Sequence, residues 1–230
     1  MIQAIFFDFN GVIIDDEEIQ LKAYEEVMAE HGVVLTKDMY FSALGMDDRT
    51  FVRSMFQHAK KPLSHQVHAA VINRKTDLHR QMIEQELPLF PGVVTFLKAA
   101  ARDFSVGLVS MATQVEISYV LERANLSSVF SIMVMAGDVE NCKPSPDCYE
   151  CALDKLNDKR RSERLLPLLP GECLAIEDSP PGIKSARQAG MRTLGVTNTV
   201  TEMELRSAGA EVVTQSLADW TVDAVKLVYN

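Results

Sequence analysis

The stretch AIFFDFNG, residues 4–11, decides the fold of this chain. Its apolar run predicts a buried β-strand that ends at Asp8, with Asn10 and Gly11 in the loop that follows. Open α/β sheets bind their ligands beyond the carboxyl ends of the strands. The stretch therefore predicts both the first strand of a sheet and the place where a functional site begins.

The rest of the chain divides into a helical block and an alternating block. Residues 16–31 and 37–86 have helical spacing with no strand signal between them. After Pro88, helical segments alternate with strands predicted at 104–110, 131–135, 173–177, 192–196 and near 212. Alternation of this kind is typical of a parallel sheet with helices on both faces. The sequence thus predicts an α/β fold: a doubly wound, Rossmann-like parallel sheet with an inserted all-helical cap domain.

The domain boundaries follow from where the helical block begins and ends. We expect a core domain of residues 1–15 and 88–230 and a cap domain of residues 16–87. A helix is predicted at 146–156. The basic, proline-containing segment 157–171 is predicted to be a long loop.

Composition limits the classes of function. The chain has 32 acidic and 23 basic residues, for a net charge of -9, which disfavours nucleic acid as a partner. No apolar stretch approaches the roughly 20 residues that span a bilayer, so no membrane segment is expected. Four cysteines are too few for a disulfide framework in a domain of this size. We expect a soluble, cytoplasmic protein with reduced thiols, and the sequence makes no prediction of its oligomeric state.

Three further segments could complete a phosphoryl-transfer site around Asp8. Ser110 ends the second predicted strand, Lys143 precedes a predicted helix, and Glu177 and Asp178 end a later strand. Together with Asp8, and in chain order, these segments supply a nucleophile, a hydroxyl donor, a cation and a metal-binding acid. Each one alone would mean little, but together they predict a site for a phosphorylated ligand.

These motifs, in this order, resemble the haloacid dehalogenase superfamily, in its phosphatase and β-phosphoglucomutase-like branch with a helical cap. The resemblance covers essentially the whole chain and implies an aspartyl phosphate formed at Asp8. It implies Mg²⁺ as the cofactor, held by Asp8, the backbone carbonyl of Asn10 and Asp178, with Glu177 beside it. It further implies that Lys143 offsets negative charge, that Ser110 donates a hydrogen bond to the phosphoryl group, and that Gly11 turns the backbone toward the anion.

The predicted cap contributes candidate substrate contacts. By the same resemblance, Gly45 and Arg49 belong to a substrate loop and Lys75 matches a cap lysine of similar mutases. Arg49 and Lys75 could equally lie on solvated helix faces. Gln20 stands where such mutases place a histidine. All five histidines fall in the predicted cap, and they suggest neither a catalytic triad nor a zinc site.

Asn10 departs from the pattern of the family. Most similar phosphatases have an aspartate there, which protonates the leaving oxygen and then activates water. General acid–base catalysis contributes about a hundredfold to ten-thousandfold, so its loss predicts a slow phosphatase. Three origins stay open: a natural member of low activity, an introduced substitution, or compensation by another acid such as Asp15 or Asp16.

The function that fits best is Mg²⁺-dependent hydrolysis of a small phosphorylated metabolite. A first alternative is a hexose-phosphate mutase, although Gln20 and Asn10 both argue against it. A second alternative is a phosphate-binding or partner-binding module without turnover. A dehalogenase fits less well, because Lys143 and Asp178 suit a metal-bound phosphate better than an organohalide.

Overall fold

The core of the protein is one six-stranded parallel sheet. The computed structural model describes residues 1–229. The strands are β1 (Ala4–Phe7), β2 (Ser105–Val109), β3 (Ile132–Val134), β4 (Cys173–Glu177), β5 (Arg192–Val196) and β6 (Val212–Thr214). Their order across the sheet is β3-β2-β1-β4-β5-β6, the doubly wound order, with every pair parallel. The predicted α/β fold class is therefore confirmed.

The register of the central strands brings three polar segments to one edge. Phe7 at the end of β1 pairs with Leu108 of β2 on one side and with Ile176 of β4 on the other. The residues that follow these pairs include Asp8, Ser110 and Asp178, so all three leave the sheet at the same edge. The order in which strands are added to the sheet reverses at β1. Sheets of this type form their ligand crevice at such a reversal.

Ten α-helices surround or extend this sheet in the described residues 1–229. They are α1 (Glu17–Glu30), α2 (Lys37–Phe41), α3 (Asp48–His58), α4 (His65–Met82), α5 (Val93–Asp103), α6 (Gln114–Arg123), α7 (Asp147–Ser162), α8 (Pro180–Gln188), α9 (Glu202–Ala208) and α10 (Val222–Tyr229). Helices α1 to α4 follow β1 directly and form a helical cap. The cap has its own apolar interior, in which Tyr24 packs against Phe51 with ring centroids 4.5 Å apart.

Local sequence explains where several cap and core helices begin. Ser64 caps α4 by accepting a hydrogen bond from the Val67 amide. Asp47 caps α3 by accepting a hydrogen bond from the Thr50 amide. In the core, Thr113 and Glu116 form a capping box that starts α6 just beyond Ser110.

The prediction of a long loop at 157–171 is wrong. Helix α7 continues to Ser162, and its last turn carries the basic run of residues 159–161, where positive charge favours a helix C-terminus. Asn157, in the interior of the helix, is buried and binds the backbone of Leu168 through both its amide nitrogen and its oxygen. The connection to β4 is therefore limited to residues 163–172, which include a 3-10 turn at Pro170–Glu172.

Two further expectations can be compared with the described residues. All four cysteines are unpaired, in agreement with the predicted reduced thiols. Within residues 1–229, none of the helices combines the length and the apolar character that crossing a bilayer requires.

Candidate active site

Asp8 lies in direct contact with Lys143. The Asp8 Oδ1 atom is 3.0 Å from the Lys143 Nζ atom, which also lies 2.6 Å from Glu177 Oε1 and donates to the Val109 carbonyl at 3.2 Å. Burial alone would lower the pKa of Lys143, but the two carboxylates outweigh burial and raise it. The lysine therefore stays protonated and holds two carboxylates from neighbouring strands in one place.

Three carboxylates form a cluster that could hold a divalent cation. One oxygen from each of Asp8, Glu177 and Asp178 lies within 4.8 Å of the others. Burial and the nearby Asp8 raise the pKa of both Glu177 and Asp178. Glu177 Oε2 is buried without a hydrogen-bond partner, while Oε1 accepts bonds from Lys143 and, at 2.5 Å, from the Tyr149 hydroxyl. An oxygen-rich cluster with excess negative charge and an unpaired buried oxygen fits Mg²⁺.

Two glycines leave the space that these carboxylates occupy. Gly11 has φ +72°, and a Cβ atom there would lie 1.9 Å from Asp178 Oδ2. A Cβ atom on Gly182 would lie 1.9 Å from Glu177 Oε2. Side chains larger than hydrogen cannot fit at either position without displacing an acid of the cluster. Gly11 is thus needed both for its backbone conformation and for its lack of a side chain.

The Asn10 side chain is held by the carboxylate of Asp16, the residue immediately before α1. Its Nδ2 atom donates to both oxygens of Asp16, at 2.9 and 3.0 Å. Asp16 is fully buried and also contacts Gln20 Nε2 at 3.1 Å and His79 Nε2 at 2.7 Å. His79 is buried, and Asp16 links it to Asn10 by accepting a hydrogen bond from Asn10 on one side and contacting the His79 ring on the other. Asp15, the other proposed compensating acid, is exposed.

Lys75 joins the cap to the core. Its Nζ atom contacts Glu116 of the core at 2.8 Å, and Asp48 and Gln20 of the cap at 3.0 Å each. The side chain is buried, so the solvated alternative for Lys75 is wrong. Burial opposes ionisation of Glu116, but Lys75 outweighs it and lowers the pKa of Glu116 to about 2. Cap and core are therefore linked by a buried ion pair.

The cap loop predicted to contact substrate lies over the site. A Cβ atom at Gly45 would meet Pro181 at 2.9 Å and the Cβ atom of Lys143 at 3.1 Å, so glycine permits this close approach. The neighbouring Met46 and Asp48 also line the cavity beneath the cap. Arg49 is exposed and its backbone carbonyl contacts the His68 ring. Its predicted role as a substrate contact stays a prediction.

The cavity between cap and core collects most of the predicted residues. Its walls include Asp8, Asn10, Gly45, Lys75, Ser110, Lys143 and Asp178. Ser110 is buried, and its hydroxyl accepts a hydrogen bond from the Ala112 amide at 3.0 Å. The roles assigned to these residues remain predictions, but the cavity brings carboxylates, a lysine ammonium group and a serine hydroxyl close together.

Sequence reasoning missed several residues of the cavity wall. Glu17 lines it and accepts a hydrogen bond from the Tyr40 hydroxyl at 2.7 Å. Burial and the Asp16 carboxylate raise the pKa of Glu17 to about 8. Glu116 was also missed, although the pattern Thr113-x-x-Glu116 is a recognisable helix start. No local pattern marks either residue as part of a ligand site, because both face the cavity only after the cap packs on the core.

The fold, the motif order and this geometry together define a cap-bearing hydrolase of the haloacid dehalogenase type. A family model described as "Haloacid dehalogenase-like hydrolase" matches residues 5–196. The chain belongs to this family, and its helical cap places it in the phosphatase and phosphomutase branch, as the sequence indicated.

Two relatives and one solved structure illustrate the similarity. YhcW of Bacillus subtilis is 32% identical over 207 residues, covering 87% of this chain and 86% of the relative. The "Phosphorylated carbohydrates phosphatase" of Thermotoga maritima is 26% identical over 214 residues, covering 90% and 92%. A β-phosphoglucomutase structure from Clostridium difficile superimposes with a TM-score of 0.85 at 22% identity, covering 100% and 98%. At that identity the likeness shows a shared fold only.

Proposed function

We propose that the protein hydrolyses phosphate monoesters of small metabolites, using Mg²⁺ and an aspartyl phosphate at Asp8. The observation that carries this proposal is the Asp8–Lys143 contact within the cluster of acids, beneath a cap that encloses the site. The similarity to a phosphatase of phosphorylated carbohydrates supports a phosphorylated substrate of this size. Enclosure by the cap suits a reaction that must exclude bulk water during the first step.

In the first step, a carboxylate oxygen of Asp8 attacks phosphorus as the bond to the leaving oxygen breaks. This replaces one difficult displacement by two easier ones. Lys143 holds Asp8 in position and offsets negative charge that gathers on the phosphoryl oxygens. Ser110, the residue after β2, would donate a hydrogen bond to the same group. When bound, Mg²⁺ would neutralise part of the charge shared by the carboxylates and the phosphate.

Proton transfer is where this chain differs from its family. Asn10 cannot donate a proton to the leaving oxygen or accept one from water, and its amide is engaged by Asp16. We therefore expect slow hydrolysis of alkyl phosphates, whose leaving oxygen needs a proton. Aryl phosphates, whose leaving groups are weaker bases, should lose less.

The test is phosphate release with Mg²⁺ from p-nitrophenyl phosphate and from glycerol 3-phosphate. The parent should act faster on the aryl ester, and the Asn10→Asp variant should gain about a hundredfold or more on the alkyl ester but less on the aryl ester. Asp8→Ala is the matched inactive control. Equal gains on both esters would contradict the role given to position 10, and unchanged release by Asp8→Ala would contradict the proposed function.

A further inference from the structure

The cap side of the cavity wall carries few positively charged side chains that could pair with an anionic group of a ligand. Among the described residues that line the cavity, Lys75 and Lys143 are the two with positively charged side chains. Lys143 is paired with Asp8 and Glu177, at the end where phosphoryl transfer is proposed. Lys75, the cation nearest the cap interior, is paired with Asp48 and Glu116.

Lys75 is therefore a poor site for a second anion. A ligand phosphate would have to displace Asp48 or Glu116 from the ammonium group, and the low pKa of Glu116 indicates how firmly that carboxylate is held. Any displaced carboxylate would remain buried near the incoming anion, which is costly without a partner. The cap side of the cavity wall thus repels a second anionic group on the ligand, and it offers that group no unpaired cation.

The same wall offers polar and aromatic groups to an uncharged ligand. Tyr40 is the single hydrogen-bond partner of the Glu17 carboxyl among the described residues, which leaves that carboxyl capacity for a further bond. The rings of Tyr24, Tyr40 and Phe51 pack together beside it, with centroids of Tyr40 and Phe51 5.7 Å apart. Aromatic faces with an adjacent carboxyl suit a carbon chain that carries hydroxyl groups.

We infer that the cap side of the cavity selects a hydroxyl-bearing, uncharged leaving group and rejects a second phosphate or carboxylate. Glu17 forms the hydrogen bond to a ligand hydroxyl, and the Lys75–Glu116 pair excludes the distal anion. This inference rests on the proposed function. It narrows the substrates to compounds whose single anionic group is the phosphate to be removed, such as polyol monophosphates. A sugar bisphosphate, which a hexose-phosphate mutase needs, would be a poor ligand.

Glycerol 3-phosphate and 3-phosphoglycerate form a matched pair for the test, because they differ mainly in a hydroxymethyl group against a carboxylate. With Mg²⁺, the parent should favour glycerol 3-phosphate by about tenfold or more in kcat/KM. Glu116→Gln removes one of the two carboxylates paired with Lys75 and should shift this ratio toward 3-phosphoglycerate by about tenfold. Glu17→Ala, which removes the carboxyl and disturbs no ion pair, should raise KM for glycerol 3-phosphate more than it lowers kcat.

The control Glu202→Gln removes one exposed carboxylate that does not line the cavity and should leave the ratio unchanged. Thermal shift with each ligand and Mg²⁺ reads binding without turnover, so it separates this inference from the proposed function. Equal thermal shifts for the two ligands, or a ratio unmoved in both cavity variants, would overturn the inference. A preference for 3-phosphoglycerate that disappears in Arg49→Ala would also overturn it, because the exposed Arg49 would then supply the distal cation. Absence of phosphate release from every ester would instead overturn the proposed function.

Discussion

The contact between Asn10 and Asp16 predicts that a carboxylate at position 10 is costly in this chain. In the parent, the Asn10 amide donates to both Asp16 oxygens at about 2.9 to 3.0 Å. In the Asn10→Asp variant, two carboxylates would face each other at that separation. Two full charges at about 3 Å repel by about 5 kcal/mol at an effective dielectric constant of about 20. Rotation or proton uptake would relieve part of this, so we expect a net loss of about 2 to 4 kcal/mol near pH 7.5.

The loss should depend on pH in a defined direction. A carboxyl whose pKa is raised on folding binds more protons in the folded than in the unfolded state, so its variant loses stability as pH rises. The destabilisation of Asn10→Asp should therefore be small below about pH 4, the usual aspartate pKa, and grow toward neutral pH. For a chain of this length, about 1 kcal/mol corresponds to roughly 2 to 4 °C in Tm. The expected fall in Tm is about 4 to 16 °C at pH 7.5.

The assay is thermal unfolding between pH 4 and 8, in buffer with a chelator so that metal binding does not contribute. Asn10→Ala is the matched control, because it removes the amide without adding a charge, and its loss should vary little with pH. The double variant Asn10→Asp with Asp16→Asn reverses donor and acceptor and should recover most of the lost stability. The reasoning is refuted if Asn10→Asp melts at the temperature of the parent at pH 7.5, or if it follows Asn10→Ala at every pH.

Three further predictions concern the site and its link to the cap. Lys143→Met should lower phosphate release by about a hundredfold to a thousandfold while Mg²⁺ raises its Tm more than that of the parent; an active variant would contradict the role of the ammonium group. Gly11→Ala should lower Tm by several degrees and abolish the Mg²⁺ dependence of Tm, whereas Gly171→Ala, where an added Cβ atom meets nothing within 4 Å, should do neither. Glu116→Gln leaves buried Lys75 with one carboxylate fewer and should cost about 3 kcal/mol near pH 6. The pKa of Glu116 is lowered on folding, so its contribution to the free energy of unfolding is present above about pH 4.5 and is lost as the pH falls toward about 2. The difference in Tm between variant and parent should therefore close over that range. A constant difference would contradict the ion pair.

The core of the fold could be predicted because its signals are local. The apolar run that ends at Asp8 and the alternation of helices and strands after Pro88 each reflect the burial of single segments against one sheet. Parallel pairing then brings the ends of β1, β2 and β4 together without any further information. This is why Asp8, Ser110 and Asp178 could be placed at one edge from the sequence alone.

The wrong prediction at 157–171 came from reading charge as a loop signal. The basic run of residues 159–161 lies in the last turn of α7. Asn157, just before that turn, is buried although it is polar. A buried asparagine that binds the backbone of Leu168 carries no apolar periodicity. Tertiary hydrogen bonding therefore decided the length of the helix.

The cap side of the site could not be predicted for a related reason. Lys75 meets Glu116 across 41 positions of sequence, and Asn10 reaches His79 only through Asp16. Contacts of this kind depend on how the cap docks on the core, which no local spacing encodes. The residues at the sheet edge are marked by sequence motifs, whereas the cap side of the cavity wall depends on packing between the cap and the core.

The most direct test of the central claim is to locate the covalent intermediate. Protein incubated with p-nitrophenyl phosphate and Mg²⁺, quenched in acid and digested, should carry one phosphoryl group on the peptide that contains Asp8, and Asp8→Ala should carry none. A phosphoryl group on any other residue, or phosphate release that persists in Asp8→Ala, would contradict the account.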